Sequence, residues 1–249
     1  MLGSDVQWLY CLLSCLIPTR SGSVRVYYEW EKSVIIWPSD TQNVSESTWT
    51  KIRSAGVQFI YFHISTGDKV EPDFENPARA AASEGFGIGA LHEFTAAISP
   101  QFQLTAIEAG LRQLPYDPVP LAISIETKGL TADNSVSKEF RTQSLHKVIS
   151  KLMPMIFNYW RLITSIDIYT TYDYWYHHID WSKYWNENDF HRFSLHWPVG
   201  IWIIDHNVRW PSIPRPFEFP SYWEYSNTST LPDIKALIRR SKIRYERIS

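Results

Sequence analysis

A single carboxylate at the end of an apolar segment is the residue best placed for chemistry in this chain. The segment runs from Val119 to Glu126 and is bounded by Pro118 and by Lys128-Gly129. An apolar run of this length predicts a strand covered on both faces, and Glu126 would stand at its C-terminal end, where barrel enzymes carry their acids. Glycoside hydrolysis usually needs a pair of carboxylates, but Ser124, on the same side of the strand, is not an acid.

Two further acids could supply the missing partner of Glu126. Asp205 follows the apolar segment Trp202-Ile203-Ile204, and Asp40 comes three residues after Trp37. Each also has a simpler interpretation, because Asp commonly caps loops and occupies turns. Glu126 itself is either a proton donor or a structural carboxylate held by hydrogen bonds. The sequence leaves these alternatives open, with Asp205 the better candidate of the two.

The histidines do not form a metal-binding motif. A metal site needs three convergent ligands, whereas His63 and His92 lie on separate predicted strands and His177-His178 falls in an aromatic run. No His-x-x-x-His pair accompanied by an acid is present. We therefore expect core or loop histidines, with no metal and no cofactor.

The bulk properties are those of an ordinary folded domain. At 249 residues the chain fits one α/β barrel, and a formal net charge of -2 gives no reason to expect nucleic acid as a partner. Aromatic residues make up 15% of the chain, and such rings suit sugars, interfaces or a heavy core. Cys11 and Cys15 both lie near the N-terminus, so no disulfide framework crosses the main body.

Residues 1–30 are predicted to form a hydrophobic arm ahead of the barrel. The apolar run from Trp8 to Ile17 is too short to span a bilayer, so no transmembrane segment is expected. Asp5, with no Lys or Arg before this run, argues against a signal peptide. A processed or lipidated N-terminus, suggested by Leu12-Leu13-Ser14-Cys15, is the alternative. We expect a retained arm that packs against this protein or a partner, because exposed apolar clusters generally mark interfaces.

Strand-like and helix-like segments alternate along the rest of the chain. Strands are predicted at residues 24–30, 33–37, 58–64, 86–92, 119–125, 163–169, 199–204 and 222–225, and helices at 45–55, 76–84, 101–114 and 135–160. Each strand and helix unit takes about 30 residues, as βα crossovers do. This order predicts an α/β fold, an irregular (β/α) TIM-like barrel over residues 31–234 whose last part departs from strict alternation.

Two segments have a marked compositional bias. The run from Tyr172 to Trp197 is crowded with Tyr, Trp and His. Three interpretations are open: the rings stack on sugars, they contact a partner protein, or they pack a barrel helix against the sheet. Residues 235–249 form a basic tail, which we interpret as a helix with a solvated basic face.

Several short motifs occur in a fixed order between residues 33 and 234. They are Ser54 to Gly67, Asp73-Phe74 with Asn76, Gly89-Ala90-Leu91-His92, Ile168-Tyr169-Thr170, Gly200-Ile201-Trp202-Ile203 and Trp223-Glu224-Tyr225-Ser226. Together they resemble the glycoside hydrolase family 25 lysozymes, whose corresponding runs read "AG-V-FVY-KATEG", "D-F--N", "VGAYH", "IYT", "LWIA" and "WQYS". Each match is weak alone, and the shared order and spacing carry the resemblance.

The departures from the family pattern fall on acids and their neighbours. The run Ile36-Trp37-Pro38-Ser39 is similar to the family's "IDVS", with Trp37 in place of an Asp, and Ser124-Ile125-Glu126 is similar to "DIE", with Ser124 in place of an Asp. Further departures are Thr66 for the Glu of "KATEG", Leu91 for the Tyr of "GAYH" and Glu224 for the Gln of "WQYS". The scaffold positions are kept while acids are lost.

The resemblance implies roles for the matching residues. Glu126 would be the proton donor, and an Asp partner would stabilise the N-acetyl group of the sugar as it attacks the anomeric carbon. The glycan-binding positions implied by the motifs are Trp37, Ser124, His92, Trp202, Trp223 and Tyr225. Because loss of catalytic acids removes several kcal/mol of transition-state stabilisation, we expect an inactive or impaired protein. It would bind peptidoglycan-type glycan or serve as a structural component of a larger assembly.

The expected partners follow from the same resemblance. They are cell-wall glycan and, through the arm and the aromatic run, other proteins of a virion or surface assembly, which favours an extracellular, cell-surface or virion-associated location. The alternative is an active muramidase that uses Glu126 as proton donor. A carboxylate that replaces those missing at Trp37 and Ser124 would favour the alternative.

Overall fold

The computed structural model describes most of the chain between residues 24 and 247. The described residues are 24–36, 46–115, 119–125, 136–157, 162–183, 199–206, 208, 211–217, 220–226 and 237–247. The chain divides into two compact units, Met1–Glu29 with Lys242–Ser249, and Trp30–Ser241. In the first unit the described residues are strand residues 24–29 and 242–247; the rest of the predicted arm lies outside the described part.

Strands and helices alternate through most of the second unit. The strands are β1 Val24–Ile36, β2 Val57–Thr66, β3 Lys69–Val70, β4 Gly87–Glu93, β5 Val119–Ser124, β6 Ile163–Thr171, β7 Val199–Ile204, β8 Tyr222–Ser226 and β9 Leu237–Arg247. The helices are α1 Glu46–Ser54, α2 Glu75–Ser83, α3 Pro100–Leu111, α4 Lys138–Phe157 and α5 Tyr172–His178, followed by a 3-10 turn at Trp181–Lys183. Among the described residues no helix lies between β7 and β8 or between β8 and β9.

All strands belong to one curled sheet. Their order is β1-β9-β8-β7-β6-β5-β4-β2-β3, and β1 also pairs with β2. The parallel pairs are β1–β2, β2–β4, β4–β5, β5–β6, β6–β7 and β7–β8. Strand β3 pairs antiparallel with β2, and β9 pairs antiparallel with β8. The fold is therefore a mixed α/β fold around a mainly parallel, curled sheet, which confirms the predicted class in this coarser form.

The apolar residues of the strands divide between the two faces of the sheet. A large cluster lies between the strands and the helices and includes Ile60, Phe62, Ile123 and Ile168. The interior cluster lies on the other face and consists of Ile35, Tyr61, Leu91, Ala122, Tyr169, Trp202 and Tyr222, with Phe59 and Ile204 packed against it. Because side chains alternate along a strand, this division fixes the face on which every other strand residue lies.

Local sequence explains where two of the helices begin and one ends. Pro100 starts α3 after Ser99, as expected for a residue that fits the first helical turn. Thr171 ends β6 and caps α5, because its side chain accepts a hydrogen bond from the backbone N–H of Tyr174. Gly85 follows α2 with φ of 78°, a conformation that glycine adopts at little cost.

Two predictions about secondary structure are wrong. The segments 24–30 and 33–37 were expected to be separate strands, but β1 is continuous from Val24 to Ile36. The basic tail was expected to be helical, but residues 237–247 form β9, with Tyr222 opposite Arg240 and Glu224 opposite Ile238. The backbone N–H and C=O groups along one edge of β8 pair with residues 237–247. This pairing outweighs the weak preference of the tail sequence for a helix, and the tail sequence alone does not show it.

Among the described residues, no helix is both long enough and apolar enough to cross a lipid bilayer.

Candidate functional site

The carboxyl ends of the parallel strands form one edge of the sheet, which we call the mouth. The residue two positions after each interior residue lies on the same face of its strand and therefore faces the interior side of the mouth. These mouth residues are His63, Glu93, Ser124, Thr171, Ile204 and Glu224. Two of them are carboxylates that the sequence motifs did not identify as site residues, although their position at strand ends was visible in the sequence.

Ser124 stands next to one of these carboxylates. It is the last residue of β5, it is buried, and its backbone oxygen accepts a hydrogen bond of 2.8 Å from the N–H of Phe94. Its partners in the neighbouring strands are Glu93 of β4 and Tyr169 of β6. A carboxylate, Glu93, is therefore directly beside the position where the family motif has an Asp.

Glu93 belongs to a small polar cluster at the ends of β2 and β4. The hydroxyl of Thr66 lies 2.7 Å from Glu71 Oε1 and 3.3 Å from Glu93 Oε2. Since a hydroxyl has one proton, the shorter contact with Glu71 takes it. His63 Nε2 lies 3.2 Å from the same hydroxyl and 3.9 Å from Glu93 Oε2. Thr66 thus links two acids and one imidazole at the mouth.

The imidazole of His63 is neutral near pH 7. Burial lowers the pKa of His63, and the nearby Glu71 carboxylate opposes this only in part. The contacts of His63 with Glu71 and Glu93, at 4.0 and 3.9 Å, are therefore contacts of a neutral ring and not ion pairs. The cluster carries the negative charge of its acids toward the mouth.

Glu224 is the second mouth carboxylate, and it is buried. Its Oε2 accepts a hydrogen bond of 2.6 Å from the hydroxyl of Tyr169, and its Oε1 lies 2.9 Å from His206 Nε2. Burial of a carboxylate is costly unless donors satisfy it, and both oxygen atoms of Glu224 have one. The structure thus gives this acid a fixed position between β6 and the segment that follows β7.

Asp205 has the contacts of a loop-capping residue. Its Oδ2 accepts a hydrogen bond of 3.0 Å from the backbone N–H of Ser212, and its backbone N–H donates to Glu224 O. Its backbone oxygen accepts 2.7 Å from Trp223 Nε1. Trp223 is buried, so its hydrogen bond holds Asp205, just after the end of β7, against β8. These contacts are those of a residue that caps a loop, and the catalytic role of Asp205 stays a prediction.

Trp202 lies at the centre of the interior cluster. Its ring contacts those of Tyr61, Tyr169 and Tyr222, with centroid distances of 4.7, 5.1 and 4.8 Å. The side chain is fully buried. Trp202 therefore supports the mouth from within the sheet, two residues before β7 ends.

His92 faces the helix layer, on the opposite side of β4 from Leu91. Its Nδ1 lies 2.8 Å from the hydroxyl of Ser65, and its Nε2 lies 3.3 Å from Gln103 Oε1 on α3. The residue is fully buried, and burial lowers its pKa to about 3, against a smaller opposing effect of the Gln103 hydrogen bond. His92 is a neutral residue that ties β4 to α3.

Three of the predicted site residues, Glu126, Trp37 and Asp40, lie outside the described residues. Tyr225 lies on β8, and only its backbone is described.

The structure separates the aromatic run into two groups. Trp175 and Trp181 are buried in the layer between sheet and helices. Tyr172 and Tyr176 of α5 are exposed. Residues 184–198 of the run lie outside the described part.

The described residues contain no group of three or more His, Cys, Asp or Glu side chains that could hold a metal ion. The chemistry available to the described mouth is that of carboxylates, hydroxyls and the imidazole of His63, which can accept hydrogen bonds from a hydroxyl-rich ligand and exchange protons with it.

Comparison with known structures shows the fold of family 25 glycosyl hydrolases. The family 25 glycosyl hydrolase from Bacillus anthracis has a TM-score of 0.64 over 90% of this chain and 94% of its own, at 18% identity. The family 25 lysozyme from Aspergillus fumigatus has a TM-score of 0.64 over 85% of this chain and 94% of its own, at 14% identity. The modular autolysin LytC from Streptococcus pneumoniae, solved with a synthetic peptidoglycan ligand, has a TM-score of 0.58 over 87% and 47%, at 11% identity.

The sequence comparisons gave a different result. No protein-family model matches this chain, and no curated protein sequence matches it. At identities of 18% and below, the structural likeness establishes the fold. It confirms the resemblance that the motif order predicted.

Proposed function

We propose that this protein binds peptidoglycan-type glycan through a lysozyme-like fold in which hydrolysis is lost or strongly reduced. The observation that carries the proposal is Ser124, a buried, uncharged residue at the end of β5. In the family motif an Asp stands here beside the proton donor. Positive charge that develops on the sugar needs a negative partner, and a serine hydroxyl does not supply one.

The polar groups of the mouth support the binding of a sugar polymer. Glu93 and Glu71 are partly exposed, with relative side-chain areas of 21% and 20%, so part of each side chain is open to a ligand. LytC was solved with a peptidoglycan ligand on the same fold, which supports the same class of ligand here. In this proposal the curled sheet is an irregular (β/α) barrel over residues 31–234, a view that the additional pairing of β1 with β2 supports.

An active muramidase is the second candidate, and Glu93 favours it. In this version Glu126 is the proton donor, and Glu93, beside Ser124, replaces the lost Asp as the negative partner. Asp205 is the other acid that could serve. The two candidates predict the same ligand and differ in whether the glycan is cut.

The experiment measures binding and cutting on the same preparation. Purified protein is incubated with insoluble peptidoglycan, and the bound fraction and the release of reducing ends are recorded for the wild type and for Glu126→Gln. We expect binding by both proteins and release by neither. Release that disappears in Glu126→Gln would instead establish the muramidase, and a comparison with Glu93→Gln would then test whether Glu93 is its partner acid. A failure of the wild type to bind would remove the proposal.

We also propose that residues 1–30 contact partner proteins of a virion or surface assembly. A protein contact through the aromatic run from Tyr172 to Trp197 stays a prediction, and sugar is the competing ligand for the part of that run on α5. The arm carries Trp8, Leu9 and Leu12, whose apolar side chains favour a covered position. Deletion of residues 1–20 should leave a folded barrel and abolish incorporation into the assembly. Unfolding on deletion would show that the arm belongs to the protein's own core.

A further inference from the structure

Two exposed tyrosine rings lie side by side on α5. The rings of Tyr172 and Tyr176 are nearly parallel, with 7° between their planes and 6.3 Å between their centroids. This centroid distance is that of an offset stack. The ring of His177 also lies nearly perpendicular to that of Tyr176, with 5.2 Å between the centroids, so part of the ring surface is covered and the rest is open. Tyr172 is 38% and Tyr176 63% exposed. We call these two residues the tyrosine pair.

The rest of α5 is held firmly in place. Trp175, three residues after Tyr172 on the same helix, is buried against Trp181 and Phe217 at centroid distances of 5.3 and 5.5 Å. Its indole N–H donates 2.9 Å to Arg215 O. The ammonium group of Lys138 on α4 donates 2.8 Å to Tyr176 O. The tyrosine pair is therefore presented on an anchored helix, which lowers the entropy lost when a ligand binds.

The position of α5 relates the tyrosine pair to the mouth. The helix begins at Tyr172, directly after Thr171 ends β6. Thr171 is itself one of the mouth residues. A ligand that occupies the mouth and extends along the sheet edge past β6 meets α5 next.

We propose that the tyrosine pair is a glycan-stacking surface that binds sugar residues of the same chain that enters the mouth. This inference rests on the proposed function, because it takes glycan as the ligand. The apolar face of a pyranose ring packs flat on an aromatic face, and the phenol hydroxyls can bond to sugar hydroxyls. Two exposed rings with nearly parallel planes suit consecutive sugars of a linear polymer.

The area of the tyrosine pair fits a sugar chain, and a protein partner would have to use further surface as well. Two aromatic side chains bury roughly 300 to 500 Å² even when they are fully covered. Specific protein interfaces bury about 1,200 to 2,000 Å². Flat rings that project from one turn of a short helix provide a small contact, which is adequate for one or two sugar rings and small for a stable protein interface.

The test uses the full-length protein and a soluble hexamer of N-acetylglucosamine, followed by insoluble peptidoglycan. The variants are Tyr172→Ala, Tyr176→Ala and the double variant. Phe102→Ala on α3 is the matched control, because Phe102 is also 63% exposed but belongs to no ring pair among the described residues. Tyr176→Phe keeps the ring, and Tyr176→Leu keeps apolar area without a ring. Circular dichroism and thermal unfolding verify that every variant is folded.

We expect each alanine variant to weaken binding of the hexamer about threefold to tenfold, with the double variant weaker than either. Phe102→Ala should bind as the wild type does, and Tyr176→Phe should bind more tightly than Tyr176→Leu. Hexamer binding that is equal in the wild type and the double variant would overturn this inference while leaving the proposed function intact. A double variant that keeps glycan binding but loses a partner protein would assign the pair to a protein contact and also overturn it. A wild type that binds neither probe would overturn both.

Discussion

The hydroxyl of Tyr169 donates a hydrogen bond of 2.6 Å to the carboxylate of Glu224 and so links β6 to β8 across the intervening strand β7. Both side chains are buried. Trp202 of β7 packs against the Tyr169 ring at 5.1 Å. The bond therefore fixes the acid at one side of the mouth and holds three consecutive strands of the sheet in register.

Replacement of Tyr169 by Phe should destabilise the protein. The ring and its packing are kept, but Glu224 loses a donor in a buried position, and hydrogen bonds to charged groups contribute about 1.5 to 3 kcal/mol. We expect the free energy of unfolding, measured by urea denaturation, to fall by that amount. Tyr172→Phe is the control: it removes a hydroxyl from an exposed ring and should change the free energy of unfolding by less than about 0.5 kcal/mol. Equal effects of the two substitutions would show that the buried bond adds nothing.

Replacement of Ser124 by Asp should also destabilise the protein. It restores the family's "DIE" pattern but places a second carboxylate in a buried position beside Glu93, and both desolvation and like-charge repulsion oppose it. We expect a loss of about 1 to 3 kcal/mol at pH 7 and a smaller loss at pH 4, where carboxylates begin to take up protons. The control is Ser124→Asn, because asparagine has nearly the size of aspartate and carries no charge. Its loss of stability should not depend on pH in this way. If Glu93→Gln in the Ser124→Asp background restores no stability, repulsion between the two acids is not the cause.

Gly89 lies against the ring of Tyr61, and its replacement by Ala should disturb the interior cluster. A Cβ atom at this position would collide with that ring. Tyr61 cannot move away easily, because it contacts Trp202 at 4.7 Å and Tyr222 at 5.6 Å. Overpacking of a core costs about 1 to 3 kcal/mol, which thermal or urea unfolding would detect. In a Tyr61→Leu background the same Gly89→Ala change should cost much less, and an equal cost in both backgrounds would contradict the collision.

His92 should make stability depend on pH in the acidic range. Its pKa is about 3 in the folded protein, against 6.5 for the ordinary residue, so below pH 6.5 the unfolded chain binds more protons than the folded one. The free energy of unfolding should fall as pH decreases from about 6.5 toward 3, by up to about 1.4 kcal/mol per pH unit. His63, whose pKa burial also lowers, contributes in the same direction. The measurement is urea denaturation at several pH values.

The matched variant for this prediction is His92→Gln. It should be less stable than the wild type at pH 7, because Ser65 and Gln103 lose their present partner, but its disadvantage should shrink as the pH falls. His177→Gln is the control for removal of a histidine, because His177 occupies an exposed position on α5. A constant difference between wild type and His92→Gln from pH 7 to pH 4 would show that His92 takes up its proton equally in both states.

The apolar strands of this protein were readable from sequence alone. Residues 199–204 were predicted as a strand and form β7 with the same bounds, and residues 119–125 differ from β5 by one residue. Buried parallel strands are continuous apolar runs, so their pattern does not depend on distant parts of the chain. Strand β9 was missed because its partner, β8, determines it more than its own composition does.

The site was harder to predict than the strands. The family motifs point to the acids that are absent, at Trp37 and Ser124, and mark Glu224 only as a replacement of Gln. Its role depends on Tyr169 and His206, which are far from it in sequence. Likewise, the contact between Glu93 and Ser124 depends on the register of β4 and β5, which no single strand reveals.

The place of β1 in the strand order has a consequence for the order of folding. Its neighbours are β2, which follows closely in sequence, and β9, which begins at Leu237. During synthesis β1 can pair with β2 early, but its other edge stays unpaired until the ribosome has released residues 237–247. Contacts of such long sequence separation form slowly, and an open strand edge can pair with other chains meanwhile. A nascent chain arrested before β9 should therefore bind chaperones or aggregate, even though its mouth strands are already complete.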